Sequence, residues 1–382
     1  MKKRGTGERI LVYCGALIAF HVGSGFASGQ EILQFFTAYG FWPGVLALGA
    51  AWLLFTGGAA FLLTSSFYKK DKTEKDCWKE LCSPAAASIF RFITPVFLFM
   101  TYVVMLAGTG ALFSEYYGLP SLYGRLLMSL LSLITVMLGM KRLLDIVGGI
   151  GPLIILFVFL LGITGVFLPA ETPDPSLCRF LPKAAPNAGA SALLYGGFSM
   201  VTGTVFLYGM SKNMQTKKQA VKVAVLGNTA FMLAAFMLHV SLYRNLNQIV
   251  AKQIPALILA GRFSGWFGAV FSIVLFFGIY TTAVPMLWSV AESFSKKEHG
   301  GKRRVVLLLL GTLALGLSGY SFDALLGLIY PAIGVCGVFL LCNMFWYRWK
   351  LFSHRGILKA KKKEIGGEYG CEKHAGDLLS EH

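Results

Sequence analysis

The chain has 382 residues, of which 55% are hydrophobic and only 14% are charged. A soluble domain carries about 25% charged residues, so this composition excludes an ordinary soluble protein. The apolar residues form runs of about twenty, the length that a helix needs to cross the hydrocarbon core of a bilayer. The composition therefore predicts an all-α integral membrane protein in contact with the lipid bilayer.

Ten apolar runs follow one another along the chain, five on each side of a proline-rich segment that begins at Pro169. We predict membrane spans at Arg9–Ala38, Trp42–Phe67, Ser88–Tyr116, Ser121–Gly139, Leu143–Phe167, Ala188–Ser211, Lys218–Tyr243, Trp266–Ser295, Arg304–Gly319 and Phe322–Tyr347. An odd number of spans gives the two halves opposite orientations, which predicts a 5+5 inverted repeat. The predicted parts are an N-terminus (residues 1–8), a transmembrane domain (residues 9–347) and a basic, disordered tail (residues 348–382).

The net charge of +17 fits the predicted topology better than a nucleic-acid surface. If both termini are cytoplasmic, 29 of the 35 lysine and arginine residues lie in cytoplasmic segments. An excess of positive charge on the cytoplasmic side orients membrane proteins, and moving one span would destroy it. We therefore expect a multi-pass protein of the bacterial cell membrane, with both termini cytoplasmic and no nucleic-acid partner. The sequence makes no prediction about protein partners.

The first span carries three glycines and two serines between Val22 and Gln30. Glycine costs about 1 kcal/mol relative to alanine within a helix, so this cluster predicts an interruption. Unwound backbone in a membrane is tolerated where it lines a cavity. The freed carbonyls of residues 19–22 would then suit a cation, and the N–H groups of Ser24, Gly25 and Phe26 a carboxylate. The alternative is a small-residue face for helix packing.

The sixth span contains a matching cluster, Gly196, Gly197 and Gly203, at the same ordinal position in the second half. This correspondence predicts a second broken helix that faces the first. Phe198 and Thr202 are then candidates for the wall and a hydrogen-bonding group of a small-molecule site.

The eighth span places the carbonyl of Gly278 and the hydroxyls of Thr281 and Thr282 on one helical face. Oxygen ligands of this kind suit a cation such as sodium. The alternative is that both hydroxyls donate to carbonyls of their own helix, as threonines in membrane helices often do.

Ionisable residues within a membrane span are expensive, and they indicate function by default. Glu31, beyond the predicted break, is a candidate proton carrier or gate. His21, immediately before it, is either a proton site or a neutral histidine bonded to a neighbouring helix. The external segment from Asn245 to Gly265 is amphipathic and is expected to lie over the outer mouth as a lid. No motif of hydrolytic or metal catalysis occurs, so we expect no enzymatic activity.

The segment from Val22 to Glu31, which reads VGSGFASGQE, resembles the YkvI family of bacterial membrane proteins. That family is itself similar to the amino acid–polyamine–organocation superfamily with the LeuT fold. The resemblance covers about residues 8–347 and implies broken first and sixth helices. It implies a substrate carboxylate at the backbone of Ser24 and Gly25, with Tyr102 of the third span closing the site. It also implies a sodium ion held by the carbonyls of Ala19, Val22 and Gly278 and the hydroxyls of Thr281 and Thr282.

These observations predict a secondary transporter, a sodium- or proton-coupled symporter of a small amino-acid-like solute. We expect no cofactor apart from the coupling ion. The alternative is a non-transporting amino-acid sensor on the same fold, similar to the membrane subunits of germinant receptors. Both functions need the same cavity, so the residues alone leave the choice open.

Overall fold

The computed structural model describes residues 6–65, 67, 77–138, 156–163, 165–167, 172–294 and 301–376. Within these ranges the fold is all-helical, as the composition predicted. The first eight helices are α1 (Thr6–His21), α2 (Ser24–Ala27), α3 (Gln30–Phe35), α4 (Phe41–Ser65), α5 (Cys77–Leu81), α6 (Pro84–Glu115), α7 (Ser121–Leu138) and α8 (Leu156–Phe167). The others are α9 (Ala188–Ser211), α10 (Lys217–Arg244), α11 (Leu246–Ile249), α12 (Pro255–Phe263), α13 (Gly265–Phe294), α14 (Gly301–Leu317) and α15 (Phe322–Gly376).

Seven helices of the described residues are long and apolar enough to cross a membrane: α4, α6, α7, α9, α10, α13 and α15. They match seven of the predicted spans to within about four residues at each end, apart from the C-terminal end of α15. Helix α14 is apolar but shorter, and most of the fifth predicted span lies outside the described residues. The chain is therefore a multi-pass membrane protein, while the exact ten-helix inverted repeat stays a prediction.

Helix α7 shows how the bundle meets lipid. Leu126, Leu130 and Ile134 are exposed at intervals of four residues, and Met128 and Ser132 on the opposite face are buried. A period near 3.6 puts the exposed leucines in one stripe along the helix. An apolar stripe of this kind is unfavourable in water, and it fits contact with lipid.

The first predicted span is not one continuous helix. Helix α1 ends at His21, α2 begins at Ser24, and a second interruption at Ser28 and Gly29 separates α2 from α3. Gly29 adopts φ +81°, a left-handed conformation that favours glycine. The chain then continues through α3 and a 3₁₀ turn before α4 begins.

The predicted break in the sixth span is wrong, because α9 is continuous from Ala188 to Ser211. Its glycines serve packing instead. A methyl group built at Gly197 would collide with the carbonyl oxygen of Gly334 and lie 2.8 Å from the backbone nitrogen of Val338 in α15. Small residues let two helices approach at backbone distance, so this glycine cluster is an interface rather than a hinge.

Helix α15 also differs from the sequence-based expectation at its C-terminal end. The tenth span was predicted to end at Tyr347, whereas the helix runs to Gly376. The predicted disorder of residues 348–382 stays a prediction. Between Leu358 and Glu364 the chain carries only leucine, lysine, alanine and glutamate, which are good helix formers. High charge therefore does not prevent local helix formation here.

The close packing of α9 against α15 can be tested by two glycine-to-alanine substitutions in α9, one at the contact and one away from it. We expect Gly197→Ala to destabilise the protein by about 1–3 kcal/mol, because backbone atoms of α15 cannot yield as a side chain can. Gly209→Ala, in the same helix, has nothing within 4 Å of the added methyl group and should be neutral or slightly stabilising. Melting temperatures of the two variants in detergent test the difference, and equal values would contradict the packing role.

Candidate functional site

A small cavity lies beside the interruption between α1 and α2. Its volume is about 40 Å³, room for about three water molecules. Five residues that the sequence analysis singled out as site candidates line it: His21, Glu31, Phe198, Thr202 and Thr282. Residues from α1, α3, α9 and α13 therefore converge on one space.

Glu31 in α3 is buried, with only 4% of its surface exposed. Its Oε1 atom accepts a hydrogen bond of 2.7 Å from the hydroxyl of Tyr195 in α9. Its Oε2 atom lies 2.6 Å from the position of a methyl group built at Gly25, so the carboxylate folds back over α2. The turn at Gly29 makes this possible, since it brings α3 back towards the residues just after the break.

His21 is the last residue of α1, and its two ring nitrogens differ. The Nδ1 atom lies 2.8 Å from the carbonyl oxygen of Leu17, which can only accept, so Nδ1 carries the proton and donates. The Nε2 atom is buried and has no hydrogen-bond partner among the described residues. The ring lies 4.6 Å from that of Phe55 and 5.4 Å from that of Phe231, neither of which offers a hydrogen-bond donor to Nε2.

Backbone groups at the break are partly released from helical bonding. The N–H of Gly23 donates to the carbonyl of His21 at 2.9 Å, so it does not take the helical position opposite the carbonyl of Ala19. The side chains of Ser24 and Phe26 contact neighbouring helices. The hydroxyl of Ser24 donates to the sulfur of Met105 at 2.8 Å, and the ring of Phe26 lies 4.7 Å from that of Phe231.

Helix α13 presents Thr282 to the break. A methyl group built at Gly23 would lie 3.7 Å from Cγ2 of Thr282, so the first span (helix one) and α13 approach each other closely at this point. The hydroxyls of Thr281 and Thr282 donate to the carbonyl of Gly278 at 2.9 and 3.1 Å. This is the back-bonded arrangement of the alternative interpretation, and sodium binding at these atoms stays a prediction.

Tyr102 lies outside the cavity, contrary to its predicted closing role. Its side chain is fully buried, and its hydroxyl bonds to that of Ser132 in α7 at 2.7 Å. Thr101 and Met105 line the cavity from the same helix. One residue corresponds to about 100° of helical rotation, so the face that carries Thr101 and Met105 turns Tyr102 towards α7.

Several residues of the lining were missed by sequence reasoning. They are mostly aromatic or apolar: Phe20, Tyr195, Ser199, Phe231, Met286 and Tyr330. Tyr195 directly precedes the glycine pair of α9, and its position within a membrane span was the available signal. Tyr330 lies in α15, which carried no unusual pattern, so only the fold brings it to the cavity.

The segment predicted to form a lid lies against the second interruption of helix one. The N–H of Ala256 in α12 donates to the carbonyl of Ser28, at the second interruption of helix one, at 2.9 Å. The carboxylate of Glu115 accepts from the N–H groups of Gln253 and Ile254 at 2.8 and 3.0 Å. The side-chain oxygen of Gln253 in turn accepts from the N–H of Phe322 at 2.8 Å. The lid is thus bonded to α6, to α15 and to the break itself.

This arrangement of membrane helices and an interrupted first helix belongs to a known architecture. The structure of the chain is similar to the crystal structure of MhsT in complex with L-phenylalanine, with a TM-score of 0.52 and 16% sequence identity. The match covers 86% of this chain and 87% of that chain. MhsT has the LeuT fold, so the chain is a membrane protein with a LeuT-like fold.

Sequence comparison confirms the resemblance stated above. The chain is 24% identical to the uncharacterized membrane protein YkvI of Bacillus subtilis (strain 168) over 336 residues, which are 87% of this chain and 93% of YkvI. It is also 24% identical to the uncharacterized protein YyaD of that strain over 347 residues, 89% of this chain and 97% of YyaD. No family model matches the chain.

The bonds of Glu115 to the lid can be tested by hydrogen exchange. We expect Glu115→Gln to raise exchange of the amides around Gln253 and Ile254 by about 10- to 100-fold, because bonds to a charged acceptor contribute about 1.5–3 kcal/mol. Asp174→Asn is the control, since the carboxylate of Asp174 accepts from the N–H of Ser176 in a different turn. Equal exchange in the lid of both variants would show that Glu115 does not hold it.

Proposed function

We propose that the protein is a secondary transporter that couples the movement of a small amino-acid-like solute to a cation. The observation that carries this proposal is the interruption of helix one beside a buried cavity that also holds Glu31. Backbone that leaves the helix within a membrane is costly unless it lines a cavity. The structural likeness to MhsT, solved with L-phenylalanine, supports the same class of solute.

The solute would occupy the cavity between helix one and α9. Ser24 and Gly25, with the backbone of Phe26, are proposed to contact its polar end, and Phe198 and Thr202 its remainder. A volume of about 40 Å³ is too small for an amino acid, so binding must move side chains or helices apart. The present conformation therefore corresponds to a contracted state of the site.

The residues after the break in helix one are less exposed than the residues at and before it. Every residue from Ser24 to Ala38 is buried, on the side that the lid covers. At and before the break, His21 and Gly23 are partly exposed, as are Phe198 and Thr202 opposite them. Alternating access would require release of the lid from the carbonyl of Ser28 together with closure on the α1 side.

Sodium is the proposed coupling ion. Its ligands would be the carbonyls of Ala19, Val22 and Gly278 and the hydroxyls of Thr281 and Thr282. A hydroxyl that donates its proton to a carbonyl keeps oxygen lone pairs for a cation, so Thr281 and Thr282 can take this role with their present bonds. The carbonyl of Gly278 accepts both hydroxyls, so it would have to release one of these bonds to bind the ion. The contact between Gly23 and Thr282 supports the proposal, because it brings the ligands proposed in the first span close to those proposed in α13. The alternative coupling ion is a proton carried by Glu31, assisted by His21.

The first experiment measures the melting temperature of the purified protein with small amino acids and amines, in sodium and in potassium. A ligand at a hundred times its Kd stabilises a protein by about 2.7 kcal/mol, which is readily detected. We expect the stabilisation to need sodium and to disappear in the variant Thr281→Ala with Thr282→Ala. Thr312→Ala is the control, since Thr312 also donates to its own helix but is exposed on α14.

Other outcomes separate the alternatives. Stabilisation that does not depend on sodium would favour proton coupling through Glu31. Ligand binding without flux in proteoliposomes would favour the sensor. No stabilisation by any compound, and no flux, would contradict the proposed function.

A further inference from the structure

The cavity is unusual in the charge that it offers a ligand. Among the described residues that line it, Glu31 is the one acidic side chain, and lysine and arginine are absent. Tyr195 donates to the Glu31 carboxylate, but it brings no positive charge. An isolated buried charge is expensive, so the Glu31 carboxylate must be balanced by a positive charge of the ligand, by a bound cation or by a proton that it takes up itself.

The position of Glu31 decides which end of a solute can lie beside the break. Its Oε2 atom is 2.6 Å from a methyl group built at Gly25, so the carboxylate already covers the backbone at which a substrate carboxylate was expected. Two carboxylates at that spacing repel each other strongly where water is excluded. The protein's own carboxylate thus replaces that of a ligand at this place.

His21 points to the same kind of ligand. Because Nδ1 donates to the carbonyl of Leu17, Nε2 of the neutral ring presents a lone pair, and this atom is buried without a donor among the described residues. A buried acceptor without a partner costs free energy that a ligand N–H would recover. An anionic group would find no donor there.

The rest of the wall favours a cation as well. Phe20, Phe198, Phe231 and Tyr330 line the cavity beside the two acceptors, and the rings of Phe198 and Tyr330 are stacked at 4.3 Å. Aromatic rings attract cations through their quadrupole, most strongly where water is excluded. Carboxylate, imidazole lone pair and rings are therefore all complementary to a protonated amine.

We infer that the transported solute is a small cationic amine whose ammonium group donates to the Glu31 carboxylate and to Nε2 of His21, and which carries no carboxylate beside Gly25. This inference rests on the proposed function and narrows its substrate class. It replaces the sequence-based expectation that the backbone of Ser24 and Gly25 holds a substrate carboxylate.

The test compares matched compounds that differ only in their charged groups. The panel has three sizes: alanine with ethylamine and propionate, valine with isobutylamine and isovalerate, and phenylalanine with phenethylamine and 3-phenylpropionate. The full-length protein in detergent is titrated with each compound, and its melting temperature gives the apparent Kd. We expect at least one amine to bind 10-fold or more tightly than its amino acid, and no acid to bind.

A variant assigns the preference to Glu31. Glu31→Gln keeps an acceptor for Tyr195 but removes the charge, and should weaken amine binding by about 10- to 100-fold, the range for a charged hydrogen bond. Glu292→Gln makes the same chemical change outside the cavity lining and should leave amine binding as it is.

Each remaining result decides a question. An amino acid that binds as tightly as its amine, or an amine affinity unchanged in Glu31→Gln, would overturn the inference and leave the transporter proposal standing. If Glu31→Gln does not fold, the comparison of amines with amino acids on the unaltered protein decides alone. Flux of amino acids in proteoliposomes without binding of amines would likewise overturn only the inference, whereas absence of binding and flux for all compounds would contradict both.

Discussion

Between His21 and Ser24 the chain leaves the helical path inside a packed bundle, where backbone groups cannot turn to water for hydrogen bonds. The N–H of Gly23 reaches the carbonyl of His21 instead of continuing the helix. Each group must be satisfied locally or by a ligand, since an unpaired one costs several kcal/mol in a lipid environment. The cavity beside the break and the contact with α13 both follow from this departure.

The second interruption, at Gly29, ties the site to the surface. It directs α3 so that Glu31 meets Tyr195, and it leaves the carbonyl of Ser28 free to accept from the lid at Ala256. One short stretch of chain therefore contacts the cavity on one face and its cover on the other. The lid and Glu31 are therefore joined through Ser28 and Gly29 without any intermediate element.

Much of the fold could be predicted from the sequence, because the length and spacing of apolar runs are set by the bilayer itself. The interruption of helix one was also predicted from its three glycines and two serines, although the same residues suit a packing face between helices. The same reading failed in α9, since glycines that unwind a helix and glycines that pack it, such as Gly197, look alike until the partner helix is known. Tertiary packing decides which face of α6 is turned towards the cavity and whether α15 lies beside it. The sequence alone therefore could not show that Tyr102 lies outside the cavity or that Tyr330 lies in its wall.

The contact of Gly197 with Gly334 and Gly337 has a mechanical consequence. Where backbone meets backbone, no side chain separates the two helices, so the distance between α9 and α15 is set by the main chain itself. Tyr195 and Tyr330 line the cavity, one from each of these helices. The glycine contact therefore also sets how far apart the two tyrosines lie at the wall of the cavity.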